Sequence, residues 1–237
     1  VQGAVAAQYL IDSGVKELGT IHDKKIHGQG LVQSVTENFE KLGGKVVAAE
    51  TINPDDSDFS AVITKVKAAN PQAVYYGGEY PQAGPLSKQM KAAGLKVALM
   101  GGDGIFDPTY IELAGDASNG DLATSVGEPV DTAKSAQDFI AAYKAAGFKE
   151  PYAAYGAQSY DAAKAIIEAL KTSLASAADA KSAREGTITA MASVDITGAT
   201  GRVSFDEFGD TKSKVITIYK VDSGKRGTVK TVDVSNG

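Results

Sequence analysis

The chain has 237 residues, enough for one large or two modest domains, and its 43% hydrophobic and 22% charged residues are typical of an ordinary globular protein. The net charge of −5, without a long run of like charges, argues against binding to nucleic acid. The absence of cysteine excludes disulfides, thiolate nucleophiles and cysteine-ligated metals, and no apolar stretch approaches the length that spans a bilayer.

The first half of the chain alternates helical and strand-like patterns. Helices are predicted at residues 2–13, 31–42, 59–69 and 81–93, and strands at residues 18–22, 45–52, 73–76, 97–100 and 122–126. Gly14, the pair Gly43-Gly44 and Gly94 end three of these helices, because glycine commonly follows the last helical turn. Strands separated by single helices indicate βαβ units, so the predicted fold class is α/β, with parallel sheets flanked by helices.

Polar loops that contain glycine follow three of the predicted strands, at residues 23–30, 77–82 and 101–107. In parallel sheets of this kind, ligands bind beyond the carboxyl ends of the strands. Two of the loops lead directly into predicted helices. We therefore expect a charged small molecule to bind at these loops.

The second half of the chain has a different pattern. Helices are predicted near residues 133–146 and 156–173, followed by a helical stretch to about residue 192 and by strands at 202–204, 215–221 and 228–234. These strands are too few for a complete sheet of their own. This half is therefore predicted to be part of a domain.

Six short motifs occur in order over nearly the whole chain. They are Ile21-His-Asp-Lys followed by Gly28-Gln-Gly30, Asp58-Phe-Ser60, Val74-Tyr-Tyr-Gly-Gly78, Gly94-Leu-Lys96, Met100-Gly-Gly-Asp-Gly104, and a segment with Gly198, Gly201, Phe205-Asp206 and Gly209-Asp210. Together they resemble the type I periplasmic binding proteins, specifically the branched-chain amino acid group of ABC transporter substrate-binding proteins.

The resemblance implies two α/β lobes that are joined by three hinge crossings and close over a solute. Residues 1–124, completed by 218–237, correspond to the second lobe, and residues 125–217 to the later part of the first lobe with hinge crossings. The N-terminal half of the first lobe has no counterpart, so we expect a fragment of a longer protein. The sequence shows no signal peptide, which implies either a removed leader or a start within a larger protein.

The function implied by the resemblance is that of an extracytoplasmic receptor, periplasmic or lipid-anchored, made with a signal peptide. It would bind an amino acid or a related small amine or amide in the cleft between the lobes and deliver it to an ABC permease. A sensory or regulatory ligand-binding domain of the same fold is the alternative. An α/β enzyme ranks third, because no nucleophile elbow, zinc-protease motif, P-loop or dinucleotide fingerprint is present. The two histidines, His22 and His27, are too few for a histidine-based zinc site, and we expect no metal and no cofactor.

The resemblance also assigns candidate ligand-binding residues. Asp103 stands where the family's carboxylate engages the α-amino group of the ligand, although an aspartate there can also cap the following turn. Glu79 stands where the amino acid receptors carry an aromatic residue. It would suit a ligand with a second cationic or donor group, or it is a solvated loop carboxylate, with Tyr80 supplying the aromatic contact.

Three further candidates complete the predicted site. His27 stands where known receptors carry a tyrosine, and it would donate to a carboxylate or stack on the ligand, or else be an exposed loop histidine. Gly28 would let the backbone approach the ligand, and Phe106 lines the cleft or belongs to the core. Because positions 27 and 79 both differ from the family pattern, the resemblance does not imply a preference for leucine.

Overall fold

The computed structural model describes residues 1–175 and 177–235, which form two compact units. The first unit comprises Val1–Val126 and Ile216–Val232, and the second comprises Gly127–Val215 and residues 233–235. Residue 176, inside the helical stretch predicted before residue 192, and residues 236 and 237, at the end of the predicted second lobe, lie outside the described residues.

Nine strands and eight α-helices are assigned within the described residues. The strands are β1 Glu17–His22, β2 Lys45–Thr51, β3 Ala73–Gly77, β4 Ala98–Gly101, β5 Leu122–Val126, β6 Asp195–Gly198, β7 Gly201–Ser204, β8 Val215–Asp222 and β9 Lys225–Asp233. The helices are α1 Gln2–Asp12, α2 Ile26–Lys41, α3 Ser60–Ala68, α4 Tyr80–Ala92, α5 Pro108–Ala114, α6 Gln137–Ala145, α7 Gly156–Leu174 and α8 Ala183–Met191.

The main sheet has seven strands in the order β2-β1-β3-β4-β5-β8-β9. Strands β1 to β5 pair in parallel, whereas β8 pairs with β5 in the antiparallel direction. All five residues of β3 are buried, as expected for a central strand covered on both faces by helices. The carboxyl ends of β1, β3 and β4 therefore meet at one edge of the sheet. This arrangement is the α/β fold predicted from the sequence.

The second unit contains the antiparallel pair β6 and β7 together with α6, α7 and α8. Asp161 on α7 is buried and accepts hydrogen bonds from the backbone nitrogens of Ala199 and Thr200, each at 2.7 Å. These bonds attach the turn between β6 and β7 to the long helix. The side chain of Asp161 thus has a structural role.

Several element boundaries differ from the prediction. Helix α2 begins at Ile26, five residues before the predicted start, although glycines at positions 28 and 30 disfavour a helix. Helix α5 and strand β6 were not predicted, and the stretch before residue 192 is not one continuous helix, because α7 ends at Leu174 and α8 begins at Ala183. The predicted helix ends at Gly14, Gly43 and Gly94 are confirmed, and these glycines have φ angles of 85°, 87° and 81°.

No helix within 1–175 and 177–235 combines the length and apolar character that a membrane span requires.

Candidate ligand-binding site

The carboxylate of Asp103 lies just beyond the end of β4 and is held by an amide from α1. Gln2 Nε2 donates to Asp103 Oδ1 at 2.9 Å, and the backbone nitrogen of Asp103 donates to Gln2 Oε1 at 3.2 Å. Thr124 Oγ1 on β5 donates to the same Gln2 oxygen at 3.0 Å. With only 15% of its side chain exposed, Asp103 is a mostly buried and oriented acceptor.

His27, near the start of α2, approaches the same carboxylate. Its Nε2 atom is 3.8 Å from Asp103 Oδ1, and 54% of its side chain is exposed. The structure therefore brings together two of the residues predicted from the sequence, one from the first turn of α2 and one from the loop after β4. A hydrogen-bond donor of a bound ligand would meet the Asp103 carboxylate, which faces the imidazole ring of His27.

Glu79 precedes α4 and forms a salt bridge that the sequence patterns did not indicate. Lys25 Nζ, from the residue before α2, donates to Glu79 Oε2 at 2.9 Å. The hydrogen bond and the negative charge of Glu79 raise the pKa of Lys25, so this ammonium group stays charged at neutral pH. The charge of Glu79 is thus matched by a neighbouring cation.

Glycines allow the three loops to touch at this edge. A Cβ atom on Gly28 would collide with the carbonyl oxygen of Gly77, and one on Gly77 would collide with that of Gly28. A Cβ atom on Gly104 would lie 2.6 Å from the carbonyl oxygen of Gly78 and 3.6 Å from the Cα atom of Glu79. The first turn of α2, which carries His27, and the loops that carry Glu79 and Asp103 are therefore in direct backbone contact, which only residues without a side chain permit.

The two predicted aromatic residues have packing contacts. Tyr80 is partly buried against the hydrophobic core of the first unit. The Phe106 ring lies 4.3 Å from the ring of Tyr219 and 5.0 Å from the guanidinium carbon of Arg226. Burial lowers the pKa of Arg226 to about 10, since the charged form is partly withdrawn from water. Phe106 thus has the core contacts that were one of its two predicted roles.

Two tyrosine hydroxyls lie near the carboxylates of this edge. Tyr75 and Tyr76 on β3 are fully buried, and neither hydroxyl has a hydrogen-bond partner among the residues that the structure describes. Burial raises the pKa of both, and the negative charges of Asp103 on Tyr75 and of Asp23 and Glu79 on Tyr76 raise them further. Both hydroxyls therefore stay protonated and neutral.

The sequence patterns missed two residues of this site, Gln2 and Lys25. Gln2 is separated from Asp103 by 101 positions and Lys25 from Glu79 by 54, so only the folded chain brings them together. Within the described residues, no cluster of three or more histidine, cysteine, aspartate or glutamate side chains could hold a metal ion.

Comparison with known proteins identifies the family. The model of the periplasmic binding protein family matches residues 1–226. The chain belongs to the periplasmic binding protein family. A solved structure of a leucine-binding protein from Thermotoga maritima superposes on 99% of the chain with a TM-score of 0.87 and 27% identity. The type I fold and the branched-chain amino acid group indicated by the sequence motifs are confirmed.

Curated relatives agree with this assignment. A Leu/Ile/Val-binding protein homolog from Brucella abortus (strain 2308) is 36% identical over 227 residues, or 95% of the chain. A leucine-, isoleucine-, valine-, threonine- and alanine-binding protein from Pseudomonas aeruginosa is 33% identical over 221 residues, or 93% of the chain. These two matches cover 59% and 57% of the relatives' lengths, and the Thermotoga match covers 66% of that structure.

Membership in this family has two consequences. Its named relatives are binding proteins rather than enzymes, which agrees with the prediction that the chain is not an enzyme. A periplasmic binding protein functions outside the cytoplasm, so the family also implies an extracytoplasmic location.

Proposed function

We propose that the chain is part of a solute receptor that binds a free amino acid, or a related small amine or amide, and delivers it to an ABC importer. The observation that carries the proposal is the mostly buried Asp103 carboxylate at the edge where the loops after β1, β3 and β4 meet. The relatives from Brucella and Pseudomonas are named for binding amino acids, and a related structure from Streptococcus pneumoniae, 25% identical with a TM-score of 0.81, contains isoleucine.

In this proposal, Asp103 binds the α-ammonium group of the ligand. A hydrogen bond between an ammonium group and a carboxylate is short, and it is about twice as strong as a bond between neutral groups. Gln2 contributes by fixing the carboxylate, since its amide both donates to Oδ1 and accepts from the backbone nitrogen of Asp103. Glu79 and His27 would surround the rest of the ligand, Gly28 would keep the start of α2 against the end of β3, and Tyr80 and Phe106 would support these segments from the core side.

The test is to replace Asp103 by asparagine in the protein at its natural full length. Truncating one partner of a buried charged pair costs about 2–5 kcal/mol of binding free energy. We therefore expect the affinity for the tightest-binding amino acid, measured by calorimetry, to fall by about 30-fold or more. Glu112→Gln is the matched control, because Glu112 is an exposed carboxylate on α5, outside the proposed site. Unchanged affinity in Asp103→Asn would refute the assignment.

We also propose that Val1–Val126 with Ile216–Val232 forms the second lobe of the receptor, and that Gly127–Val215 is the later part of the first lobe. Delivery to an ABC permease, and a periplasmic or lipid-anchored location with a signal peptide on the gene product, are part of the same proposal, and what supports them is membership of the family rather than any particular residue of the chain. Deleting the gene should abolish uptake of the bound solute. Unaltered uptake would favour a sensory or regulatory role.

A further inference from the structure

The salt bridge between Lys25 and Glu79 offers a hydrogen-bond donor and an acceptor side by side. We propose that this pair binds a carboxamide group in the ligand's side chain, so that the receptor selects a glutamine-like or asparagine-like amino acid over an aliphatic one. This inference rests on the proposed function, in which Asp103 binds the α-ammonium group of the same ligand.

The hydrogen-bonding capacity of the pair is only partly used. Lys25 Nζ carries three hydrogens and donates one of them to Glu79 Oε2 at 2.9 Å. Among the described residues, Glu79 Oε1 accepts no hydrogen bond from the protein. The carbonyl oxygen of a carboxamide can therefore accept from Lys25 while its NH₂ group donates to Glu79 Oε1.

Charge explains why a neutral polar group fits better than an ionic one. The pair is neutral as a whole, and each side chain is about half exposed, at 45% for Lys25 and 52% for Glu79. A cationic side chain would compete with Lys25 for Glu79, and an anionic one would compete with Glu79 for Lys25. An aliphatic side chain would displace water from Lys25 and Glu79 without replacing the hydrogen bonds that the water makes. The unpaired polar groups would then weaken the binding of an aliphatic ligand relative to one with a carboxamide.

The backbone around the pair holds it near Asp103. Lys25 N donates to the buried Asp23 Oδ1 at 3.0 Å, and Asp23 N donates to the carbonyl oxygen of Gly77 at 3.0 Å. On the other side, Gly104, next to Asp103, packs against the backbone of Glu79. His27, two residues from Lys25, approaches Asp103. The ammonium-binding carboxylate and the pair thus lie on loops in contact, as two ends of one small ligand require.

The experiment measures by calorimetry the affinity of the natural full-length protein for L-glutamine, L-asparagine, L-leucine, L-glutamate and L-lysine. We expect glutamine or asparagine to bind at least about tenfold more tightly than leucine, glutamate or lysine. In the double variant Lys25→Met/Glu79→Leu, the preference should reverse in favour of leucine. The control is Lys65→Met/Glu50→Leu, which removes a salt bridge of similar length, 3.0 Å, on β2 and α3 and should leave the ranking unchanged.

The outcomes separate this inference from the proposed function. If Asp103→Asn weakens binding but leucine, glutamate or lysine is the tightest ligand, or if the double variant keeps the original ranking, the receptor stands and the carboxamide assignment is overturned. If none of the five amino acids binds, the proposed function fails for this panel and the carboxamide assignment is refuted with it.

Discussion

Replacing Asp121 tests whether a buried carboxylate organises the core of the first unit. Asp121 precedes β5 and is 1% exposed. Its Oδ2 atom accepts from Ser87 Oγ at 2.5 Å and from the Tyr110 hydroxyl at 2.7 Å. Its Oδ1 atom accepts from Leu99 N at 2.8 Å and from Lys91 Nζ at 2.9 Å. One side chain therefore joins α4, α5 and β4 to the start of β5.

The magnitude of the effect follows from these four bonds. In Asp121→Ala, the ammonium group of Lys91, with 18% of its side chain exposed, loses its carboxylate partner. Breaking a buried ion pair costs about 3–5 kcal/mol, and each further buried donor left unsatisfied costs about 1–3 kcal/mol. Because such terms are not additive, we expect a loss of at least about 4 kcal/mol in the free energy of unfolding, a large part of the roughly 5–15 kcal/mol typical of proteins.

The assay is urea unfolding of the natural full-length protein, followed by far-ultraviolet circular dichroism. The control is Asp12→Ala, because Asp12 and Lys230 are exposed and their charged atoms are 3.8 Å apart. An exposed pair of this kind contributes at most about 1 kcal/mol. If Asp121→Ala is destabilised no more than Asp12→Ala, the buried network does not organise the core of the first unit.

Two further predictions concern close packing and alkaline pH. Gly77→Ala should lower the free energy of unfolding by about 1–3 kcal/mol, because the new Cβ atom would collide with the Gly28 carbonyl and lie 2.9 Å from Val32 Cγ2. Gly30→Ala is the control and should not destabilise the protein, because a Cβ atom there meets no atom within 4 Å. Equal urea midpoints for the two variants would contradict this. The free energy of unfolding should also fall as pH rises above about 10, because tyrosines in the unfolded chain release their protons there. In the folded chain, burial and Asp131 raise the pKa of Tyr152 to about 12. Burial also raises the pKa values of Tyr75, Tyr76 and Tyr110, so the folded state keeps these protons. Arg226 has the opposite effect, since its lowered pKa lets the folded state release a proton first, but it is one group against four. Urea midpoints at about pH 8 and pH 11 check this, and a higher midpoint at pH 11 would refute it.

Much of the fold could be predicted from local patterns in the sequence. Buried apolar runs such as Ala73–Gly77 and glycines after helices report on structure within a few residues, and the structure has β3 and the helix ends at Gly14 and Gly94 where these patterns indicated. The start of α2 was predicted too late, because Gly28 disfavours a helix locally but packs against Gly77 in the folded chain. A tertiary contact therefore outweighed local propensity.

The candidate site was predictable only in part for a related reason. Asp103 stands in a motif, and His27 and Glu79 each lie next to one, so their positions could be identified from the sequence. Their partners Gln2 and Lys25 come from distant segments and carry no motif of their own. The charge balance around Glu79, which decides what kind of ligand group it suits, therefore became visible only in the folded chain.

The most direct test of the central claim compares a free amino acid with its N-acetylated derivative. Calorimetric titration of the natural full-length protein should give saturable binding of at least one free α-amino acid. Acetylation removes the ammonium charge that Asp103 is proposed to bind, so the derivative should bind at least about 30-fold more weakly. Equal binding of the two compounds, or no binding of any free amino acid, would contradict the proposal that this chain is part of an amino acid receptor.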